Sequence, residues 1–231
     1  MPLISISEQK RKVAAAAVQF VENKMLLGLG TGSTTEFALH LLSKRIKEEN
    51  LRITGVPSSR VTARLARRLG IPLIADEGAF KKIDLTIDGA DEVDTECNLI
   101  KGGGGALTRE KILAARSDRV IIIVDGKKIV SQLGKFRLPV EVLPFGWRST
   151  AVVLRELGAR IKLREKEGRV FHTDNGNFIL DCAFGRIADP PALAREIKTI
   201  AGVVEVGLFI GLADLILIGK KDGSVEEKWA S

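Results

Sequence analysis

Met25-Leu-Leu-Gly28-Leu-Gly30-Thr31-Gly32-Ser33-Thr34-Thr35 passes from a short apolar run through a glycine loop into a segment of helical periodicity. Strand, tight turn and helix in that order form the repeating unit of a parallel sheet covered by helices. The unit recurs on both sides of this stretch. Upstream, apolar positions fall at helical spacing from Glu8 to Asn23 through an alanine run. Downstream, helical periodicity resumes over 34–48. Arg52 to Val56 then predicts a strand, Val61 to Leu69 a helix, and Ile71 to Ala75 another strand. A strand at Ile83 to Ile87, a helix at Thr108 to Ala115 and a strand at Arg119 to Val124 extend the alternation. The expected class is α/β with a mainly parallel sheet.

After Gly134 the rhythm changes. Val140 to Leu143, Arg148 to Leu157, Arg160 to Arg164, Asn177 to Ala183, Pro190 to Ile200 and Val203 to Leu208 read β-α-β-β-α-β. This is the split βαβ pattern of a ferredoxin-like α+β unit, with Asp174-Asn-Gly-Asn177 as a turn signal and Pro190-Pro191 opening its second helix. The run Leu215 to Gly219 is apolar throughout and suits the large parallel sheet. The expected domains are therefore 1–133 plus 210–231 for the larger one and 134–209 for the smaller.

The 231 residues suffice for a substantial core, and their 45% hydrophobic content is spread among charges with no uniformly apolar stretch long enough to span a bilayer. The start of the chain has no basic region followed by an apolar core and a small-residue cleavage site, so a cytoplasmic location is expected. Cys97 and Cys182, with only His40 and His172 beside them, make no metal-ligand spacing and read as idle buried thiols. The net charge of +7 suits anionic partners. The densest basic stripe, Arg60, Arg64, Arg67 and Arg68, lies at helical spacing opposite Val61, Leu65 and Leu69. It lacks interleaved aromatics and reads as a solvated face, so neither nucleic acid nor membrane is expected as a partner.

Ligands of parallel sheets bind at the carboxyl ends of strands, and each cluster of polar residues and glycines here follows a predicted strand. The loop Gly28 to Thr35 opens a helix, where amides and the positive helix end attract phosphate. A dinucleotide fingerprint would need glycine or alanine at Ser33 and an acid about 20 residues on, and a Walker loop would need Gly-Lys-Ser or Gly-Lys-Thr. Neither is present, which leaves a compact phosphate ester, or simply a glycine turn with a serine cap. Asp88 and Asp91 flank Gly89-Ala90 at a strand end, where carboxylates hold hydroxyls or move protons; the same residues fit an Asp-rich surface turn. Lys101 precedes Gly102, Gly103, Gly104 and Gly105, placing an ammonium beside amides able to cradle developing negative charge. Thr108 can cap the next helix. Glu110 lies in its first turn, where it complements the dipole or, kept ionised, serves as a general base. Lys128 follows the strand ending near Val124, and Lys10 lies on the first helix; both also fit solvent-facing lysines.

Gly30-Thr-Gly-Ser-Thr34, Asp88-Gly-Ala-Asp-Glu92, Lys101-Gly-Gly-Gly104 with Ala-Leu-Thr-Arg-Glu-Lys111, Leu133-Gly-Lys-Phe136 and Thr173-Asp-Asn-Gly-Asn177, in this order, closely resemble the type A ribose-5-phosphate isomerases. Gly105 adds a fourth glycine to the family's usual three. The resemblance implies a Rossmann-like catalytic domain with a smaller ferredoxin-like domain that serves as lid and in oligomer contacts. It implies interconversion of ribose 5-phosphate and ribulose 5-phosphate in a pentose phosphate pathway, with no cofactor and no metal, by a homodimer or homotetramer. Glu110 would be the base, Lys101 would stabilise the enediolate, Asp88 would assist ring opening, and Asp91 would position hydroxyls. Thr31, Gly32, Ser33, Thr34, Gly102, Gly103 and Gly104 would bind substrate, with Lys10 and Lys128 as further contacts to the anionic sugar. Two alternatives remain open on the residues. A phosphosugar-sensing regulator would keep the anion loop but need no base, and it would carry a DNA-reading helix pair. Another phosphosugar isomerase or deaminase would use a similar cleft.

Overall fold

The computed structural model describes residues 3–230. The chain runs α1 (Ile6–Val18), β1 (Leu26–Leu29), α2 (Ser33–Glu49), β2 (Thr54–Pro57), α3 (Arg60–Arg68), β3 (Leu85–Asp88), β4 (Glu92–Val93), β5 (Leu99–Ile100), α4 (Leu107–Ala115) and β6 (Val120–Asp125). It continues with β7 (Leu138–Val142), α5 (Trp147–Glu156), β8 (Arg160–Leu163), β9 (Glu165–Lys166), β10 (Arg169–Val170), β11 (Phe178–Ala183), α6 (Pro190–Lys198), β12 (Val203–Val206), β13 (Leu208–Phe209), β14 (Leu215–Gly219) and β15 (Val225–Trp229). Two compact units form. One comprises Met1–Ala90, Arg109–Ile129 and Gly211–Ser231, the other Asp91–Thr108 and Val130–Ile210.

The first unit is built on a sheet of order β15-β14-β6-β3-β1-β2, parallel except for the edge strand β15. Alternate strand residues project to one face: Leu27 and Leu29, Leu85 and Ile87, Ile121 and Ile123, Leu215 and Leu217. They pack with Val13, Ala14 and Ala17 of α1 and Ala38, Leu39 and Leu42 of α2. The alanine run read from the sequence therefore lies on the inward side of α1. Leu215–Gly219 joins β6 in parallel register, as its apolar composition predicts. From β1 the chain steps outward to β2, then crosses to β3, β6 and β14 on the other side. The strand order thus reverses between β1 and β3, where an α/β sheet opens its crevice.

Two expectations change here. Ile71 to Ala75 yields one bridge, Leu73 to Gly55, with Gly55 N–H donating to Pro72 O and Ile74 N–H to Gly55 O. Proline stops the ladder at both ends, since Pro72 has no N–H for Ile53 O and Pro57 none for Ile74 O. On α3 the four arginines are exposed as expected, but Val61 is exposed with them, and Thr62, Ala63 and Ala66 form the buried face. Small residues at that face let the helix lie close to the sheet.

In the second unit β12-β7-β11-β8 form an antiparallel sheet. Its first strand is central, between the fourth and the third, as β-α-β-β-α-β connectivity requires of a ferredoxin-like unit. The β9–β10 hairpin is inserted between β8 and β11, and β13-β5-β4 make a small sheet of their own. The strand expected over Val203 to Leu208 breaks at Gly207, whose N–H donates to Pro139 O and whose carbonyl accepts from Lys101 N–H. A Cβ on Gly207 would stand 2.4 Å from Lys101 O, so only glycine lets these backbones meet.

Glu141 of β7 is wholly buried. It accepts hydrogen bonds from Thr108 Oγ1 at 2.5 Å, Thr173 Oγ1 at 2.9 Å, Asn175 Nδ2 at 3.2 Å and Asn177 Nδ2 at 2.8 Å. The Thr173–Asn177 segment is thus a set of donors wrapped round a buried carboxylate, and Thr108 ties the start of α4 to it. Because each stranded buried donor costs about 1–3 kcal/mol, Glu141→Ala should lower stability by several kcal/mol, read as a fall in the urea midpoint. Both thiols are buried, and burial pushes that of Cys182 up, so little reactive thiolate exists there at neutral pH. Ellman's reagent should therefore label neither cysteine until the chain is unfolded.

Candidate active site

At the reversal between β1 and β3, Gly30 runs so close to Asp88 that a Cβ would lie 2.2 Å from Asp88 Oδ1 and 2.7 Å from its Cα. The buried Asp88 carboxylate accepts Gly89 N–H at 2.7 Å and Thr31 N–H at 3.2 Å through Oδ1. Strand end and glycine loop are therefore tied by a carboxylate, and the surface-turn reading of Asp88 does not hold. Thr31 points its hydroxyl the other way, 2.8 Å from both Ser58 Oγ and Ser59 Oγ and 3.0 Å from Thr62 Oγ1. Its backbone, rather than its hydroxyl, is what reaches the carboxylate.

The N-cap of α2 is Gly32, at φ 134°, and no side chain caps the helix. Ser33 is the first helical residue and its Oγ accepts Lys10 Nζ at 2.8 Å. The serine-cap alternative gives way to an uncapped helix N-terminus with an ammonium beside it, the electrostatics of an anion site. Thr34 follows in the same first turn. Lys128 stands half-buried in the 3₁₀ turn Gly126–Lys128 that continues β6, the neighbour of β3, so it shares the carboxyl edge of the sheet with Asp88. Glu110 is buried in the first turn of α4.

In the second unit, β4 pairs antiparallel with β5, with Glu92 opposite Ile100. Asp91 directly precedes β4 and Lys101 directly follows β5, at the same end of the pair, and Asp91 N–H donates to Ile100 O at 2.8 Å. Asp91 Oδ2 accepts Gly103 N–H at 2.7 Å, and a Cβ on Gly103 would come within 2.7 Å of the carboxylate. Lys101 is buried, with Nζ 5.5 Å from the centroid of the Phe209 ring, within cation–π range. Gly102 is buried at φ 104°, whereas Gly103 and Gly104 are exposed. Gly105, the additional glycine, holds φ 83° beneath Phe171, whose ring would lie 2.4 Å from a Cβ. The run is thus an ordered loop with a distinct need for glycine at three of its positions.

Each unit consequently gathers its own share of the expected residues. Gly30 to Thr34, Lys10 and Asp88 meet in the first; Asp91, Lys101 and Gly102 to Gly104 meet in the second. Thr108 does not cap α4: it is the second helical residue and its hydroxyl goes to Glu141. Glu92, buried, accepts Gly134 N–H at 2.8 Å and Phe136 N–H at 2.6 Å, so the Leu133–Phe136 motif clamps the strand that begins beside Asp91. The sequence reading missed Glu92 and Glu141 as buried acceptors, the hydroxyls of Ser58, Ser59 and Thr62, and Arg164, whose Nη1 donates to Gly102 O at 2.7 Å. Ser58-Ser59 before the basic helix carried a capping signal; an arginine just after a strand carried none. Among the described residues no group of three or more His, Cys, Asp or Glu is arranged to hold a metal ion.

The family model for ribose 5-phosphate isomerase A (phosphoriboisomerase A) matches residues 54–223. The chain belongs to this family. A ribose-5-phosphate isomerase A of Cereibacter sphaeroides is 50% identical over 228 residues, covering 95% of this chain and 90% of the relative. One from Gloeobacter violaceus is 51% identical, with 93% of each chain covered. Among solved structures, a D-ribose-5-phosphate isomerase in complex with phospho-erythronic acid superposes with a TM-score of 0.93 at 40% identity, over 98% of this chain and all of the other. The ribose 5-phosphate isomerase A of Methanocaldococcus jannaschii gives 0.91 at 41%, over 97% and 100%. The activity is that of an aldose–ketose isomerase acting between ribose 5-phosphate and ribulose 5-phosphate.

Because Asp91 is the flexible neighbour that must yield to a Cβ at position 103, Gly103→Ala should leave the melting temperature within a few degrees. It should lower kcat/KM by about tenfold or more, a loss of ~1.4 kcal/mol in transition-state stabilisation. Steady-state kinetics beside a thermal melt checks both.

Proposed function

We propose that this chain carries out its family's isomerisation with Glu110 as the base and with Lys101, Asp88 and Asp91 at the sugar oxygens. The open-chain aldose loses its C2 proton to the Glu110 carboxylate. The C–H electron pair becomes the C1–C2 double bond, and the C1 carbonyl oxygen takes the negative charge of an enediolate. Return of the proton to C1, with the O2 proton passed to the C1 oxygen and the C2 carbonyl formed, completes the ketose. The Lys101 ammonium and the glycine-loop amides lower the energy of the enediolate oxygen, a charge that exists only along the reaction path. Asp88 relays the proton that opens the furanose ring, and Asp91 holds a hydroxyl.

The observation that carries this reading is the placement of Asp91 and buried Lys101 at the same end of the β4–β5 pair, with the Gly103 amide bound to the Asp91 carboxylate. Acid, ammonium and amide donor are thereby gathered at one end of that strand pair. The uncapped start of α2 with Lys10 on Ser33 suits the substrate's phosphate, with Lys128 as a second cation. A relative binds phospho-erythronic acid, a phosphorylated acid whose planar carboxylate imitates an enediolate. The chemistry calls for no redox step, and we assign no cofactor or metal.

The functional division we propose places the reacting groups in 1–133 plus 210–231 and the supporting sheet in 134–209. The exposed Leu143, Phe145, Val152 and Val153 of that second segment suit a contact between copies in a homodimer or homotetramer. No helix among the described residues is long and apolar enough to cross a membrane, and we place the enzyme in the cytoplasm, in the non-oxidative pentose phosphate pathway.

Turnover of ribose 5-phosphate should persist in the presence of a strong chelator in a coupled assay. Glu110→Gln should reduce kcat by about 100-fold or more, the scale of a general base, while calorimetry still detects sugar phosphate binding. Lys101→Met should lose kcat on a comparable scale. Near-normal turnover in the glutamine variant would remove Glu110 from the role of base.

A further inference from the structure

Arg164 follows β8 and is absent from every motif of the chain, yet it grips the glycine run. Its Nε donates to Asp181 Oδ2 at 3.0 Å and its Nη2 pairs with Asp181 Oδ1, so one edge of the guanidinium is spent on a carboxylate of β11. Asp181 lies opposite Lys162 in the β8–β11 register, which puts it diagonally across from Arg164, within reach of a long side chain. The other edge, Nη1, donates to two successive carbonyls, Gly102 O at 2.7 Å and Gly103 O at 3.2 Å.

Those two contacts fix the direction of two peptide groups. In a trans peptide the C=O and the following N–H point opposite ways. With the Gly102 carbonyl turned to Arg164, the Gly103 N–H points away from it, and there it meets Asp91 Oδ2 at 2.7 Å. With the Gly103 carbonyl turned the same way, the Gly104 N–H is also directed away from the guanidinium, on an exposed residue. Gly102 O also accepts Gly105 N–H at 3.0 Å in a turn, so the guanidinium reinforces that peptide and acts chiefly on the next one, whose Gly103 carbonyl would otherwise rotate at little cost. Phe171 N–H donates to Arg164 O at 2.9 Å while the Phe171 ring packs on Gly105, so the hairpin segment 164–171 holds both ends of the run.

We propose that Arg164, oriented by Asp181, is a positioning residue for the isomerisation: it turns the Gly102–Gly103 and Gly103–Gly104 peptides so that the Gly103 amide holds Asp91 in place and the Gly104 amide is left to donate to an oxygen that gains charge. This rests on the reading of the site given above. Lysine cannot replace the guanidinium, because a single ammonium cannot satisfy Asp181 bidentately and also reach both carbonyls.

The test uses full-length protein, its glycines labelled with ¹⁵N, as wild type, Arg164→Lys, Arg164→Ala and Asp181→Asn, with phospho-erythronic acid as probe. In the wild type the probe should shift the Gly103 and Gly104 amide protons. In Arg164→Lys these shifts should be lost and kcat should fall at least tenfold with KM changed less than threefold, at a melting temperature within a few degrees of wild type. Millimolar guanidinium should restore part of the kcat of Arg164→Ala without raising its melting temperature, and Asp181→Asn should fall between lysine variant and wild type. An Arg164→Lys protein with wild-type kcat and wild-type amide shifts overturns the proposal. So does an Arg164→Ala protein whose lost activity follows its melting temperature alone and is not restored by guanidinium. Failure of the wild type to isomerise ribose 5-phosphate would instead overturn the proposed function, and the amide shifts would still be readable.

Discussion

Strands β1 and β3 lie side by side at the one place in the parallel sheet where the strand order reverses, and they do so only because Gly28 of β1 and Gly30 just beyond it carry no side chain. A Cβ on Gly28 would stand 1.9 Å from Thr86 Oγ1, and one on Gly30 would stand 2.2 Å from Asp88 Oδ1. Steric relief at these two positions brings the glycine loop against a buried carboxylate. The carboxylate in turn receives the loop's amide. The uncapped helix start, the lysine of α1 and the strand-end acid all depend on that close approach.

Much of the architecture was legible because periodicity carries it. The alternation of strands and helices, the change of rhythm after Gly134 and the return of Leu215–Gly219 to the large sheet all rest on apolar spacing, which burial enforces. What periodicity cannot express is the hydrogen-bond geometry of particular backbones. The segment at Ile71 has strand composition, but Pro57 and Pro72 remove a donor from each end of its ladder. Val203 to Leu208 looks continuous, yet Gly207 breaks it between two sheets. The helix face containing Val61 was misread because hydrophobicity was taken as burial, whereas small residues provide the contact surface of α3.

The site was legible in its residue types and opaque in its supports. Asp88, Asp91, Lys101 and the glycine runs stand beside one another in sequence, and local order was enough to single them out. Their supports come from far along the chain: Glu92 is satisfied by the amides of Gly134 and Phe136, Glu141 by side chains at 108 and 173–177, the glycine peptides by Arg164. In a linear text those partners are unrelated words. Two of the family's motifs, at Leu133 and at Thr173, supply donors to buried carboxylates and need not touch a substrate to be indispensable.

The insertion of Val130–Ile210, the larger part of the second unit, between β6 and β14 sets the order in which the large sheet can be completed. During synthesis β6, with Val120-Ile-Ile-Ile-Val124 buried throughout, emerges about 90 residues before β14, the strand that will cover its outer edge. Until then the ribosome-bound chain holds a long, flat, apolar edge of the kind that recruits other strands. The local hairpins and short crossovers of the antiparallel unit suit it to fold in that interval. In the finished molecule that edge is covered by β14, and β15 closes the sheet with Glu226, Glu227 and Lys228 along it.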